Sequence, residues 1–578
     1  SYDTLQEAID NADAGDTVKL LDNVTVNAPS GDGSGLAAIT IDRNIILDGG
    51  GNTINIGTDF AATGGNDWDA DLGKYHVINI TSDATIQNVT IDGGWAGKDA
   101  ESSNDYSAAR SGINIWNNDS AKLVVKLDGV KVNNCSTYAV TARGTDLTIT
   151  DMATTGSQWG VNVEDNSTVT IENSTIPEDI VYESSFSNSS LAIDGGDYGT
   201  VKVQQQDDAV TTGTVTVENA TAGQVVTGGK NVSNATATIS VTGSTVGTVT
   251  NTSKGTFSVA GSQITGEVPK AGDNIIMVGC TDENNSALTD VVPGNKEAMI
   301  DGTTYGTLED ALAEAQDGDV VFLLNNVTLD GNGKGNNTGI VEITKNITIE
   351  GNGKTITAES VTAGADTAAG PSMITITNGA NVTVRDLIID GKGSDDSVVT
   401  DNTKHGLNIY GGGTTVTVEN VTIKNGNGYA IVANGADVTI DGLITENNGW
   451  GGVNVDSKSG AANLTIEDAD ISESNSVKIE NTSDDTPKPE DPTVEINGGD
   501  FQYVTTGDEI TEPNLTISGG KFATATEGAP TGALTRDDLE DCLTGNLAID
   551  GNGNVYTPSQ GGSSGGSTRY AVAAPSNV

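Results

Sequence analysis

Leu147-Thr-Ile-Thr-Asp-Met-Ala-Thr-Thr-Gly-Ser-Gln-Trp-Gly-Val-Asn-Val-Glu-Asp-Asn-Ser-Thr-Val-Thr-Ile171 holds three copies of one short idiom: Leu147-Thr-Ile149, Val161-Asn-Val163 and Val169-Thr-Ile171. In each, apolar residues alternate with Thr or Asn, the period of a strand with one buried face. Gly, Asn and Asp separate the idioms. The unit recurs N-terminally as Ile39-Thr-Ile41, Ile78-Asn-Ile80, Val89-Thr-Ile91 and Ile113-Asn-Ile115. Strands this short, with no helices between them, make neither a doubly wound sheet nor long hairpins; they make stacked coils. Ile113, Val140 and Val161 step by 27 and 21 residues, and Leu407, Ile431 and Val453 by 24 and 22, one coil per step. The expected fold is all-β, a right-handed parallel β-helix (solenoid) whose interior is filled by Val and Ile of successive coils.

The chain also repeats on a larger scale. Tyr2-Asp-Thr-Leu-Gln-Glu-Ala-Ile9, Gly15-Asp-Thr-Val-Lys-Leu-Leu21 and Asn23-Val-Thr-Val26 return as Tyr305-Gly-Thr-Leu-Glu-Asp-Ala-Leu312, Gly318-Asp-Val-Val-Phe-Leu-Leu324 and Asn326-Val-Thr-Leu329, at a constant offset of 303. Two tandem domains are expected, 1–297 and 298–558, followed over 559–578 by a Gly/Ser linker and the start of a further domain. Each domain opens with a short amphipathic capping helix. In the first, 4–13, Thr4 and Glu7 form a capping box and Leu5, Ala8, Ile9 and Ala12 an apolar stripe before Gly15. In the second, 307–316, Thr307, Asp310, Leu308, Ala311, Leu312, Ala315 and Gly318 repeat the design.

Twenty-seven Lys and Arg against 80 Asp and Glu give a net charge of -53. That balance disfavours nucleic acid and anionic membrane surfaces, and fits a neutral glycan, a cationic ligand or a metal ion. Cys135, Cys280 and Cys542 occupy no equivalent positions and have no C-x-x-C spacing, so free structural thiols are expected rather than a disulfide framework or zinc site. No apolar stretch is long enough to span a membrane, so direct membrane insertion is not expected. No cofactor is expected, except that the alternate carboxylates Asp67, Asp69 and Asp71 suit a hard cation such as Ca²⁺. The oligomeric state is not legible.

The Tyr-x-Thr-Leu-x-x-Ala-(Ile/Leu) helix, the Gly-Asp-(Thr/Val)-Val strand after it, and the elements Ile91-Asp-Gly and Ile389-Asp-Gly resemble the pectate-lyase-like right-handed parallel β-helix superfamily, as it occurs in secreted and surface-anchored bacterial proteins. The resemblance implies an extracellular or cell-wall-associated location. It brings no active site: the Gly-His-Gly and Asn-Thr-Asp elements of polygalacturonases and the paired arginines of pectate lyases are missing.

Enzymes on such scaffolds work on the outer face of one sheet, so parity picks the candidates. With Ile113, Val140 and Val161 inward, Trp116, Arg143 and Glu164 stack outward on successive coils: an aromatic face for a sugar, a guanidinium for a carboxylate or hydroxyl, and an acid. In the second copy Tyr410 and Asp456 hold the aromatic and acidic places, while Asn434 replaces Arg143. Tyr138 and Trp159, recurring as Tyr429 and Trp450, read as coil-corner packing. Asn88, Asn133, Asn173 and Asn420 read as inward amides of an Asn ladder. The leading expectation is a non-catalytic surface module, an adhesin or stalk binding a glycan or surface protein. The alternatives are a polysaccharide lyase or glycoside hydrolase using Arg143 and Glu164, and a purely structural spacer.

Overall fold

The computed structural model describes residues 1–30, 35–60, 74–96, 108–205, 209–270, 273–331, 334–335, 338–361, 370–391, 403–523 and 528–558. Asp67, Asp69, Asp71 and the 559–578 segment lie outside them. The chain divides into two compact units, Ser1–Thr307 and residues 308 onward. Short strands stacked in parallel dominate both, and this is the architecture of a parallel β-helix.

In the first unit, eleven parallel strands make one face, from Thr17–Lys19 and Ile45–Asp48 through Leu123–Asp128, Thr145–Thr150 and Thr168–Glu172 to Ile276–Val278. A second face runs from Val24–Val26 to Thr175–Ile176. The third comprises Ala37–Ile41, His76–Ile80, Ile113–Trp116, Tyr138–Arg143, Trp159–Val163 and Ile180–Tyr182. The strand Asp197–Gln204 pairs with Thr175–Ile176 at its start and with Ile180–Tyr182 further on, so the second and third faces fuse there.

Register explains the cohesion. Leu127, Ile149, Ile171, Ile193, Val217, Val241 and Val259 lie directly above one another, all buried, at the roughly 4.8 Å spacing of paired strands. The expected steps hold: Ile113 pairs with Val140 and Val140 with Val161, as Leu407 pairs with Ile431 and Ile431 with Val453. Cys135 and Cys280 are buried free thiols, pushed by burial up to about 12 and about 11.

The corner after the first face is a column of left-handed residues: Asn88, Gly129, Asp151, Asn173, Gly195, Asn219, Gly243 and Gly261. Asn, Asp and Gly carry that conformation at least cost. Each N–H there donates to the next coil, as Asn173 does to the Asp194 carbonyl at 3.0 Å, so the ladder continues round the bend. This corrects the inward Asn ladder: Asn88, Asn173 and Asn420 are left-handed corner residues, and half-buried Asn133 precedes another, Asn134. Their amides serve the turns, Asn134 donating to Asp92 Oδ1 at 3.0 Å and Asn219 to Asp194 Oδ1 at 3.0 Å.

The first helix spans Leu5–Asp10, shorter than 4–13, because Asn11 already terminates it. Only half of the capping box forms, Thr4 Oγ1 accepting from the Glu7 N–H at 3.2 Å. Gln6 meets the backbone of Thr40 twice, donating to its carbonyl at 3.1 Å and accepting from its N–H at 2.8 Å, as a neighbouring strand would. Arg43 closes the C-terminal end through the Asp10 and Ala12 carbonyls.

In the second unit the corresponding helix is Leu308–Glu314, against an expected 307–316, and Lys345 binds the Leu312, Ala313 and Ala315 carbonyls in the manner of Arg43. A third helix, Arg536–Asp541, was not anticipated; its N-terminus carries a complete capping box between Thr535 and Asp538.

The corner column makes a sharp demand. Asn173→Gly should leave stability nearly unchanged, whereas Asn173→Val should cost about 1–3 kcal/mol through left-handed strain, read as a shift in urea midpoint at constant slope.

Candidate functional site

The third face of the first unit carries the site. Two outward columns run along it, Asn79, Asn114, Thr141 and Asn162 in one, and Trp116, Arg143 and Glu164 in the other, with Glu183 following on the next coil. Trp116, Arg143 and Glu164 are brought together as their spacing predicts. The Arg143 guanidinium lies 5.0 Å from the centre of the Trp116 ring, and its two terminal nitrogens reach Glu164 and Asp165, both at 3.2 Å. Arg143 Nε donates to Asn118 at 3.2 Å.

A third column, which alternation misses, borders the same groove. Gly112 and Gly160 face the core: a Cβ on Gly112 would fall 2.3 Å from Val132 Cγ1, and one on Gly160 2.4 Å from Ile176 Cγ2. Ile113 and Val161, next in sequence, are buried too, so two consecutive residues point inward. The phase flips at that step. His76, Ser111, Tyr138 and Trp159 therefore join the groove wall instead of the interior, which corrects the assignment of Tyr138 and Trp159 to corner packing. Their rings lie 5.1 Å apart, tilted by 31°.

The result is a cavity of about 410 Å³. Trp116 and Glu164 stand on one side and His76, Tyr138 and Trp159 on the other, over a floor of Asn79, Asn114, Thr141 and Asn162. Trp116 is 44% exposed, whereas the outward floor residues Asn114, Thr141 and Asn162 are buried beneath the walls. Asn114 Nδ2 donates to Asn79 Oδ1 at 2.8 Å, and Asn162 Nδ2 to Glu164 and Glu183 at 2.8 and 3.0 Å.

Burial and the neighbouring Glu183 carboxylate push Glu164 up to about 7, against the opposing pull of Arg143. Burial, assisted by Arg110, lowers His76 to about 3, and its Nδ1 has no hydrogen-bond partner among the described residues. The site thus offers flat apolar rings, amide and hydroxyl groups, and one carboxyl poised near neutrality. Its arginine is already engaged by two carboxylates.

In the second unit Tyr410, Asn434 and Asp456 share one column. Tyr410 is exposed; Asp456 keeps its outward place in the column but is covered, accepting from Lys458 N, Thr482 N and Thr482 Oγ1 at 2.9, 2.9 and 2.6 Å. It ties two loops together. Trp450 is not the register counterpart of Trp159 either, for Tyr429 pairs with Gly451 and Trp450 stands one residue earlier. His405 stacks on Tyr429 at 6.2 Å and 9°, accepts the Tyr429 N–H at 2.9 Å, and is lowered to about 3, chiefly by burial.

No protein-family model matches this chain, and no curated protein matches it. Among solved structures it is similar to the PL6 family alginate lyase AlyGC, at 10% identity with a TM-score of 0.24, covering 89% of this chain and 92% of that one. A point mutant of the same lyase gives 10% identity and a TM-score of 0.23, covering 90% and 93%. A likeness of that size carries no inference about the reaction; the fold rests on the strand register described above.

Two pH predictions follow from the buried groups. The imidazole proton resonances of His76 and His405, the chain's two histidines, should show no titration between pH 5 and 8; a midpoint near 6.5 for either would contradict its burial. Folding raises the Glu164 pKa above its ordinary 4.5, so the folded state retains a proton that the unfolded state releases between 4.5 and about 7. Its ionisation cost grows as pH rises through that window and is fully present above it. Glu164→Gln should therefore raise Tm relative to the parent by more at pH 8 than at pH 4.5, as measured by calorimetry.

Proposed function

We propose that the chain is an extracellular surface module built from two tandem right-handed β-helices, each opened by its capping helix, and that the cleft of the first unit binds a neutral glycan. The observation that carries this reading is the pairing of the Tyr138 and Trp159 rings opposite exposed Trp116 above an Asn/Thr floor. Aromatic faces receive the C–H faces of sugars, while amides and hydroxyls take their hydroxyl groups. A polyanionic chain fits less well: the protein carries a net charge of -53, and Arg143 already serves Glu164 and Asp165.

Glu164 favours one alternative, glycoside hydrolysis. A carboxyl near 7 in a sugar-sized cleft has the protonation of a general acid, and Glu183, bound to the same Asn162 amide, would be the second carboxylate that such chemistry requires. Lyase chemistry has less support, because it asks Arg143 to leave both of its carboxylates.

Calorimetric titration with a panel of neutral polysaccharides should detect binding that falls about tenfold or more in Trp159→Ala, with the variant's Tm checked first. Binding equal in parent and variant would sink the cleft reading. New reducing ends that disappear in Glu164→Gln would replace simple binding with hydrolysis.

A further inference from the structure

Five of the six phenylalanines, Phe60, Phe257, Phe322, Phe501 and Phe522, are core residues; Phe186 is 46% exposed. Its exposure is built in. Asp165 Oδ1 accepts from Ser185 N at 2.7 Å and Ser185 Oγ at 2.9 Å, Ser184 Oγ meets Ser189 Oγ at 2.8 Å and accepts from the Phe186 N–H at 3.1 Å, and Ser189 N donates to the Phe186 carbonyl at 3.0 Å. The turn Ser184–Ser189 is thereby fixed with a flat ring at its tip, a contact surface with little conformational entropy left to lose.

Phe186 borders a second hollow of about 370 Å³, lined with amides including Asn118, Asn166 and Asn188, together with Arg143. Arg143 is the shared wall: it lies against Trp116, which with Glu164 lines the first cleft, and it also lines this hollow. Asp165 holds both sides, accepting one arm of Arg143 and anchoring the Phe186 turn. An aromatic plane beside amides, separated from an aromatic cleft by one guanidinium–indole pair, repeats the chemistry of the first site next to it.

We infer that the hollow beside Phe186 is a second sugar-binding subsite, and that the ligand of the first unit is a neutral oligosaccharide long enough to cross the Trp116–Arg143 wall and occupy both. This rests on the glycan reading of the first cleft. Phe186 supplies the stacking face, and Asn118, Asn166 and Asn188 supply hydrogen bonds to hydroxyls.

The test uses the full chain and cello-, xylo- and manno-oligosaccharides of two and six units, titrated calorimetrically. For a sugar that binds, the six-unit chain should bind about tenfold more tightly than the two-unit one. Phe186→Ala should erase that gain and leave two-unit binding unchanged, Phe186→Trp should keep it, and Trp159→Ala should weaken both lengths. A gain that survives in Phe186→Ala, or no gain with length in the parent, overturns the subsite while leaving the cleft intact. Absence of binding at either length for every sugar overturns cleft and subsite together.

Discussion

Vertical register is the constraint on which the rest of the first unit depends. Each paired strand sets its residues directly over those of the coil before, so that the Leu127 to Val259 ladder is continuous and the left-handed residues that follow the first face, Asn88 to Gly261, lie in one column. A slip of one residue would turn a coil's Val and Ile outward and its Thr and Asn inward, losing apolar burial at every position at once. The same slip would move a residue with no tolerance for positive φ into the corner of most coils, such as Glu172 or Ser174 in place of Asn173. Two unrelated penalties therefore enforce one register. Loops between coils can vary in length, as the steps of 27 and 21 residues do, without disturbing the stack.

The cleft is a local departure from alternation within that register. Where a strand points two neighbours inward, its outer face gains a column it would otherwise lack. Gly112 and Gly160 make this feasible, since a side chain there would collide with Val132 or Ile176. The two outer columns then stand as walls, and the residues between them are covered although they project from the coil. Polar groups buried in this way seek partners along the column and in the next one, Asn114 with Asn79 and the Asn162 amide with Glu164 and Glu183, although Asn162 Oδ1 has no hydrogen-bond partner among the described residues. Glu164 is near neutrality for the same reason: the stacking that builds the wall puts Glu183 beside it and takes both from water.

This also accounts for what could be read in the sequence. Period-two alternation gave the strands, the coil steps and the stack of Trp116, Arg143 and Glu164, because each depends only on parity within a regular strand. It could not give Tyr138 and Trp159, since the inward double step before Val140 and Val161 inverts the phase; the signal was present as the small residues Gly112, Ala139 and Gly160 at one coil position. Asn88, Asn173 and Asn420 look like ladder amides by residue type, but their place, always one residue after a strand, is the mark of a left-handed corner. Asp456 illustrates another limit. Parity places it in the outer column, but its own turn at Lys458 and the distant loop at Thr482 close over it. The equation of Trp450 with Trp159 failed because similarity of short motifs does not fix register to one residue.

Comparing the columns position by position shows how the two units diverge. Beside the groove, the first unit reads Ala37, His76, Ser111, Tyr138 and Trp159, and the second reads Gly339, Ser372, His405, Tyr429 and Gly451. Each has one histidine, displaced by a coil. In the first unit the small Ser111 stands next to Tyr138 and the ring beyond is Trp159, so open volume remains between His76 and the aromatic pair. In the second, His405 takes the place of Ser111 and lays its ring against Tyr429, while Trp450 turns edge-on to both, at 72° and 77°. Moving one imidazole by one coil puts a ring where the first unit has only a hydroxymethyl group. Both units keep the inward double step, with Gly406 and Gly452 facing the core as Gly112 and Gly160 do. Which side chains stand in the groove is then set by a single column, over the same inward double step.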